Sequence, residues 1–225
     1  FNSSNNGLET GDLGGSLVLL ETQTASGDST LDFTSGIDST YKEYQFHFTD
    51  IHPASGSNFT FQADTGTNTN YNITMTTTSV QAYHTEDDSS SGLGYKSSTD
   101  GGSSYGVTMT STAFEAYHYE NDSAAALNYN TGADLAQSTG EKSLTRQAGN
   151  DNDQSSAGKL CLFNPSSTTF VKHFLAQLNC SRNSDLTQHT LRAGYFNTTS
   201  AVDAIRFKFA SGNIDAGTIK MYGVS

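Results

Sequence analysis

Tryptophan is absent from this chain of 225 residues, proline and cysteine occur twice each, and only 15% of residues are charged. Eleven Lys and Arg stand against 23 Asp and Glu, for a net charge of −12. Each shortage excludes something. So few dispersed cations cannot form the clustered footprint that a phosphate backbone requires, which argues against a nucleic-acid role. No stretch approaches the roughly 20 consecutive apolar residues of a membrane-spanning helix. Cys161 and Cys180 are too few for a disulfide scaffold. They read as buried, reduced strand residues, with a single bridge as the alternative. There is no Gly-x-Ser-x-Gly elbow, no Cys beside a plausible His partner and no phosphate-binding Gly loop, so neither an enzyme activity nor a cofactor is expected.

What the chain has is aromatic and polar: 13 Phe, 11 Tyr, 21 Gly, and many Ser, Thr and Asn. That aromatic content separates it from disordered chains, which cannot bury comparable apolar area. Period-two alternation places Tyr44, Phe46 and Phe48 on one strand face, opposite Gln45 and His47. The same period runs through Phe59, Phe61 and Ala63, and through Ile205, Phe207 and Phe209 with Arg206 and Lys208 between them. Turn signals such as Ser35-Gly36, Asp100-Gly101-Gly102 and Ser211-Gly212-Asn213 separate the runs. Residues 205–223 read as a closing hairpin, and short helices are expected around 132–138 and 170–178. The fold class predicted is all-β: an antiparallel, jelly-roll-like β-sandwich over 16–225, preceded by an arm or linker at 1–15.

Residues 71–95 recur at 105–129 with a constant offset, since Tyr71 matches Tyr105 (105 − 71 = 34). Thr74-Met75-Thr76 and Ala82-Tyr83-His84 in the first copy answer to Thr108-Met109-Thr110 and Ala116-Tyr117-His118 in the second. Two copies are too few for a solenoid, so the repeat reads as a duplicated strand–turn–strand unit within one sandwich.

The duplicated His84 and His118 are each followed by an acid at the second and fourth positions: Glu86 and Asp88, then Glu120 and Asp122. On a strand these share the His face, giving a weak metal candidate, although a transition metal needs three or four converging ligands. Asp151 and Asp153 offer oxygen ligands but lack the spaced series of a calcium loop, so an exposed acidic turn is the plainer reading. Tyr83, Tyr117, Tyr119 and Tyr129 lie beside the acidic turns, where rings flanked by Asp88 and Asp122 suit glycan contact. The bland alternative for these tyrosines is sandwich core or subunit interface. Paired carboxylates such as Asp87 and Asp88 raise a polysaccharide depolymerase, without singling out a pair. Asn-x-Ser/Thr sequons at Asn2, Asn58, Asn72, Asn121, Asn179 and Asn197 are what chance yields in such a composition.

Several runs together resemble a widespread group of virion proteins of marine tailed phages. They include the stretch Leu31 to Tyr41, Ile51-His52-Pro53-Ala54 and Ala116-Tyr117-His118. Phe163-Asn164-Pro165-Ser166-Ser167-Thr168-Thr169, Val171-Lys172-His173-Phe174, Ala193-Gly194-Tyr195, Asn197-Thr198-Thr199-Ser200 and the ending Met221-Tyr222-Gly223 complete the set. The resemblance implies a non-enzymatic structural component at the virion surface, either a capsid decoration or a tail-fibre part. It also implies a symmetric homo-oligomer, with a trimer preferred, held against neighbouring virion proteins. The alternative it carries is a receptor-binding module for host surface glycans. It supplies no catalytic residues.

Overall fold

The computed structural model describes residues 16–66, 69–85, 113–118, 125–129, 135, 137–183 and 185–225, with 78–85, 113–118 and 125–129 described by their backbone. The described strands run in chain order from β1 (Leu17–Thr24), β2 (Leu31–Phe33), β3 (Glu43–Pro53) and β4 (Phe59–Asp64) to β5 (Met75–Thr85), β6 (Ala113–His118) and β7 (Ala125–Tyr129). They continue with β8 (Lys142–Ser143), β9 (Ser156–Phe163), β10 (Lys172–Arg182), β11 (Leu186–Phe196), β12 (Ala204–Phe209) and β13 (Ile214–Val224). A nine-stranded sheet has the order β1-β13-β3-β9-β10-β11-β5-β6-β7, and a four-stranded sheet the order β2-β12-β4-β8. The protein is an all-β sandwich.

Alternation explains the interface between the sheets. On β3, Tyr44, Phe46 and Phe48 are buried, while Glu43, Gln45 and His47 stay partly exposed. β10 follows the same rule, burying Lys172, Phe174, Ala176, Leu178 and Cys180. From the small sheet, Phe33, Phe59, Phe61, Ile205, Phe207 and Phe209 point back into the same core. Phe207 is the hub: its ring centroid lies 5.1–6.5 Å from those of Phe33, Phe46, Phe48, Phe59 and Phe61. Phe33 and Phe48 meet it edge to face, Phe46 is tilted, and Phe59 and Phe61 lie nearly parallel to it.

The outer side of the small sheet is also covered. Thr60, Gln62 and Asp64 are buried although they alternate with the core residues of β4. The Gln62 amide donates to the carbonyls of Ile73, Thr139 and Gly140 at 3.1–3.2 Å. Those bonds hold two loop segments against the sheet, so a polar position becomes interior without leaving a buried amide unsatisfied.

Three expectations need correction. Residues 205–223 form no hairpin: β12 pairs with β2 and β4 in the small sheet, whereas β13 pairs with β1 and β3 in the large one. The turn at 210–213 therefore passes the chain from one layer to the other. The stretch at 170–178 is no helix, because β10 occupies it from Lys172 onward. Around 132–138 the described residues contain no helix, and Ser138 bridges Met75 in extended pairing.

The described strands pair antiparallel with one exception. β5 and β6 run parallel, pairing Ser79 with Ala113, Val80 with Phe114 and Gln81 with Glu115. Each pair is separated by the repeat offset (113 − 79 = 34), so these equivalent positions of the two copies stand side by side. β6 then pairs antiparallel with β7.

Candidate functional site

The outward face of the large sheet carries a concentration of cations that the composition does not suggest. In the register of its central strands, Lys220 on β13 pairs with His47 on β3, and His47 pairs with Lys159 on β9. The row continues through Gln177 on β10 to Leu191 on β11. All five point away from the core, because their strand neighbours Ile219, Phe46, Leu160, Leu178 and Thr190 are buried. Strands lie about 4.8 Å apart, so the two lysine backbones stand about 10 Å apart with the histidine between them.

The imidazole is held in place. Its Nε2 donates to Gln45 Oε1 at 3.0 Å, and Gln45 Nε2 donates to Glu43 Oε1 at 2.7 Å. The ring centroid lies 4.8 Å from that of Tyr222 on the neighbouring strand. Burial holds the His47 pKa below the ordinary histidine value, and the charge of Lys159 pushes it the same way. The ion pairs formed among the described residues are His52–Asp215, Arg206–Asp32 and Lys208–Glu141, and none includes Lys159 or Lys220.

Beside this row lies a shallow groove of about 550 Å³, lined by His47, Ala157, Lys159, Gln177, Asn179 and His189 among others. Gln177 Nε2 lies 3.0 Å from His189 Nε2, which makes that nitrogen the acceptor of the amide's hydrogen. Asn179 Nδ2 donates to Thr187 Oγ1 at 2.8 Å and to the Gln188 carbonyl at 3.2 Å. Gly158 lets the strands close up: a β-carbon there would sit 2.3 Å from the carbonyl oxygen of Gln177. Chemically the surface offers cations, amides and aromatic edges, the means to hold an anion and hydroxyl groups together.

A second groove of about 610 Å³ opens on the small sheet, lined by Asn58, Thr60, Asn70, Tyr71, Asn72 and Glu141 among others. Its carboxylate is already engaged, since Glu141 accepts from Thr60 Oγ1 and pairs with Lys208 Nζ, both at 3.1 Å. Tyr71 is 5% exposed, and its hydroxyl has no hydrogen-bond partner among the described residues. Arg206 covers its ring at 3.9 Å from the centroid. Burial pushes the phenol up to about 12, with the charge of Asp32 adding to it.

Of the residues singled out in the sequence, Tyr83 and His84 fall on β5, Tyr117 and His118 on β6 and Tyr129 on β7. Glu86, Asp88, Tyr119, Glu120 and Asp122 lie outside the described residues. Asp151 and Asp153 sit on an exposed turn, where the Asp151 carbonyl accepts from the Gln154 amide at 2.9 Å and lies 3.2 Å from His52 Nε2. Among the described residues no three His, Cys, Asp or Glu side chains are grouped to hold a metal ion. The cysteines are free and face opposite ways, Cys161 outward and half-buried, Cys180 inward. Burial pushes the Cys180 thiol up to about 12 and raises that of Cys161, where Glu43 adds to the effect.

Sequence reasoning placed His47 on an outward face but missed Lys159, Lys220, Gln177 and His189. Each is an ordinary polar strand residue until the register sets it beside the others. The chain matches no protein-family model, no curated protein and no solved structure.

Proposed function

We propose that the chain is a structural, non-enzymatic component of the surface of a tailed-phage particle, either a capsid decoration or a tail or fibre part, working as a homotrimer. The observation that supports this most is the first edge of the large sheet. β1 is the terminal strand there, and Leu17, Val18 and Leu19 are 46%, 38% and 53% exposed. Consecutive strand residues face opposite ways, so among the described residues neither face of β1 is covered at its start. An open, apolar strand edge is a template for association, which soluble proteins otherwise blunt with charge or cover. A neighbouring copy or another virion protein is its natural cover, and residues 1–15 would tether the assembly. The test is light scattering on the full chain with and without Leu17→Lys and Leu19→Lys, paired with a particle reconstruction. Trimers that dissociate on substitution, and density on the outer surface, are expected. A monomeric parent chain would overturn the assembly, and absence from the particle surface would overturn the location.

A second reading, a receptor-binding module for host surface glycans, is favoured by the outward basic row and its groove. The tyrosines Tyr83, Tyr117, Tyr119 and Tyr129, with Asp88 and Asp122, form its other candidate contact set.

A further inference from the structure

We propose that the outward face of the large sheet binds an acidic polysaccharide, a hydroxylated polymer bearing carboxylate or sulfate groups, along the row Lys220–His47–Lys159. The row is unbalanced in charge. Opposite charges on neighbouring strands stabilise a sheet, and a cation without such a partner leaves its charge unbalanced. Here Lys220 and Lys159 flank one histidine across three adjacent strands, and neither is in an ion pair among the described residues. Glu43, on the same face of β3, accepts a hydrogen bond from Gln45 Nε2 at 2.7 Å. The chain has 11 Lys and Arg in all and a net charge of −12. Two of those few cations set beside a histidine on one row make a local positive strip on a protein whose overall field repels anions. A bound polyanion relieves the repulsion and turns each lysine into a charge-assisted hydrogen-bond donor.

Charge alone would accept any polyanion, and the neighbouring groups narrow the class. Gln177, Asn179 and His189 border the same strip and present amide and imidazole groups suited to hydroxyls. The paired rings of His47 and Tyr222 supply an aromatic surface for the C–H face of a sugar ring. The row crosses the strands over about 10 Å, so charges repeated along an extended polymer can meet both lysines at once.

The experiment measures binding of the full chain to polygalacturonate (carboxylates), dextran sulfate (sulfates), neutral dextran and polyglutamate. At least one of the two acidic polysaccharides is expected to bind, more weakly as salt is added, and neutral dextran is not. Lys159→Glu with Lys220→Glu should weaken that binding by at least about tenfold without lowering the thermal midpoint, because the new acids flank His47. Lys159→Arg with Lys220→Arg should retain it. Gln177→Ala with Asn179→Ala should weaken the polysaccharide while leaving any residual polyglutamate binding unchanged. Failure of both acidic polysaccharides, indifference to the charge reversal, or polyglutamate binding as tight as the polysaccharide would each overturn the proposal, the last in favour of an acidic protein partner. A negative result leaves the particle-surface reading standing, because that rests on oligomeric state and on location in the particle.

Discussion

Arg206 and Asp32 face each other across β12 and β2, joined by two parallel hydrogen bonds, Nε to Oδ1 at 2.8 Å and Nη2 to Oδ2 at 2.5 Å. Both side chains are about three-quarters buried, and the guanidinium lies on the ring of Tyr71. The fork-to-fork geometry fixes how the loop carrying Tyr71 lies on the small sheet. Asp32→Ala is expected to cost about 1.5–3 kcal/mol in denaturant unfolding, because the cation left behind loses its partner. A double-mutant cycle with Arg206→Met should return most of that cost as coupling, and additive losses would show the pair to be a surface ornament.

Phe207 touches five other phenylalanines from both layers. Phe207→Ala opens a void where the sheets meet, and a loss of about 3–5 kcal/mol is expected. Phe207→Leu should recover a large part of it. Urea titrations of the two variants, read by tyrosine fluorescence, are sufficient to check the order.

The thiols make a separate prediction. Cys161 and Cys180 point to opposite faces, so reducing agent should leave the melting temperature unchanged. A thiol reagent should modify Cys161 slowly in the folded protein, faster as pH rises, because burial and Glu43 raise its pKa. Cys180 should react only on unfolding. Mass spectrometry of the native, labelled chain separates these outcomes.

His47 gives the stability a pH dependence of known sign. Its folded pKa lies below the ordinary value of 6.5, so the folded state favours the neutral ring. That contribution is present above about pH 6.5 and is lost as pH falls through the lowered folded value. The charged or titratable groups around it are Lys220 and Tyr222 on β13, Lys159 and Cys161 on β9, and Glu43 on its own strand. Chemical denaturation between pH 7 and pH 5 should show a steeper loss for the parent chain than for His47→Gln. A bound polyanion should reverse the trend, since it favours the charged imidazole.

Local pattern made the core strands legible. At Tyr44–Phe48 and Ile205–Phe209, one buried face imposes the period of two directly on the sequence, and at Phe59–Ala63 the same period persists although the polar face is covered too. Where it misled, two periods coincided. Phe170, Phe174 and Leu178 are four residues apart, which serves a helix or a strand equally, and Lys172 breaks the apolar alternation. In the fold Lys172 is wholly buried and donates through Nζ to the carbonyls of Phe170 and Thr198, both at 3.0 Å. A basic residue inside a sandwich has no local signature. Neither does the turn at 210–213, which reads the same whether its flanking strands pair or part. The basic row was invisible for a simpler reason: His47, Lys159 and Lys220 are remote in the chain, and only the register of β13, β3 and β9 makes them neighbours.

The parallel pairing of β5 with β6 gives the far side of the large sheet a spare part. β11 pairs along the whole of β5, and the second copy of the repeat carries the same Thr-Met-Thr and Ala-Tyr-His signatures at the same spacing. An in-frame loss of one 34-residue unit, the product of recombination between the copies, would leave β11 a partner of nearly the same pattern (108 − 74 = 34). The phenylalanine core around Phe207 belongs to other strands and would not be opened. Such a loss is expected to shorten this edge by one unit and alter the outline of the molecule, while the core around Phe207 keeps its packing.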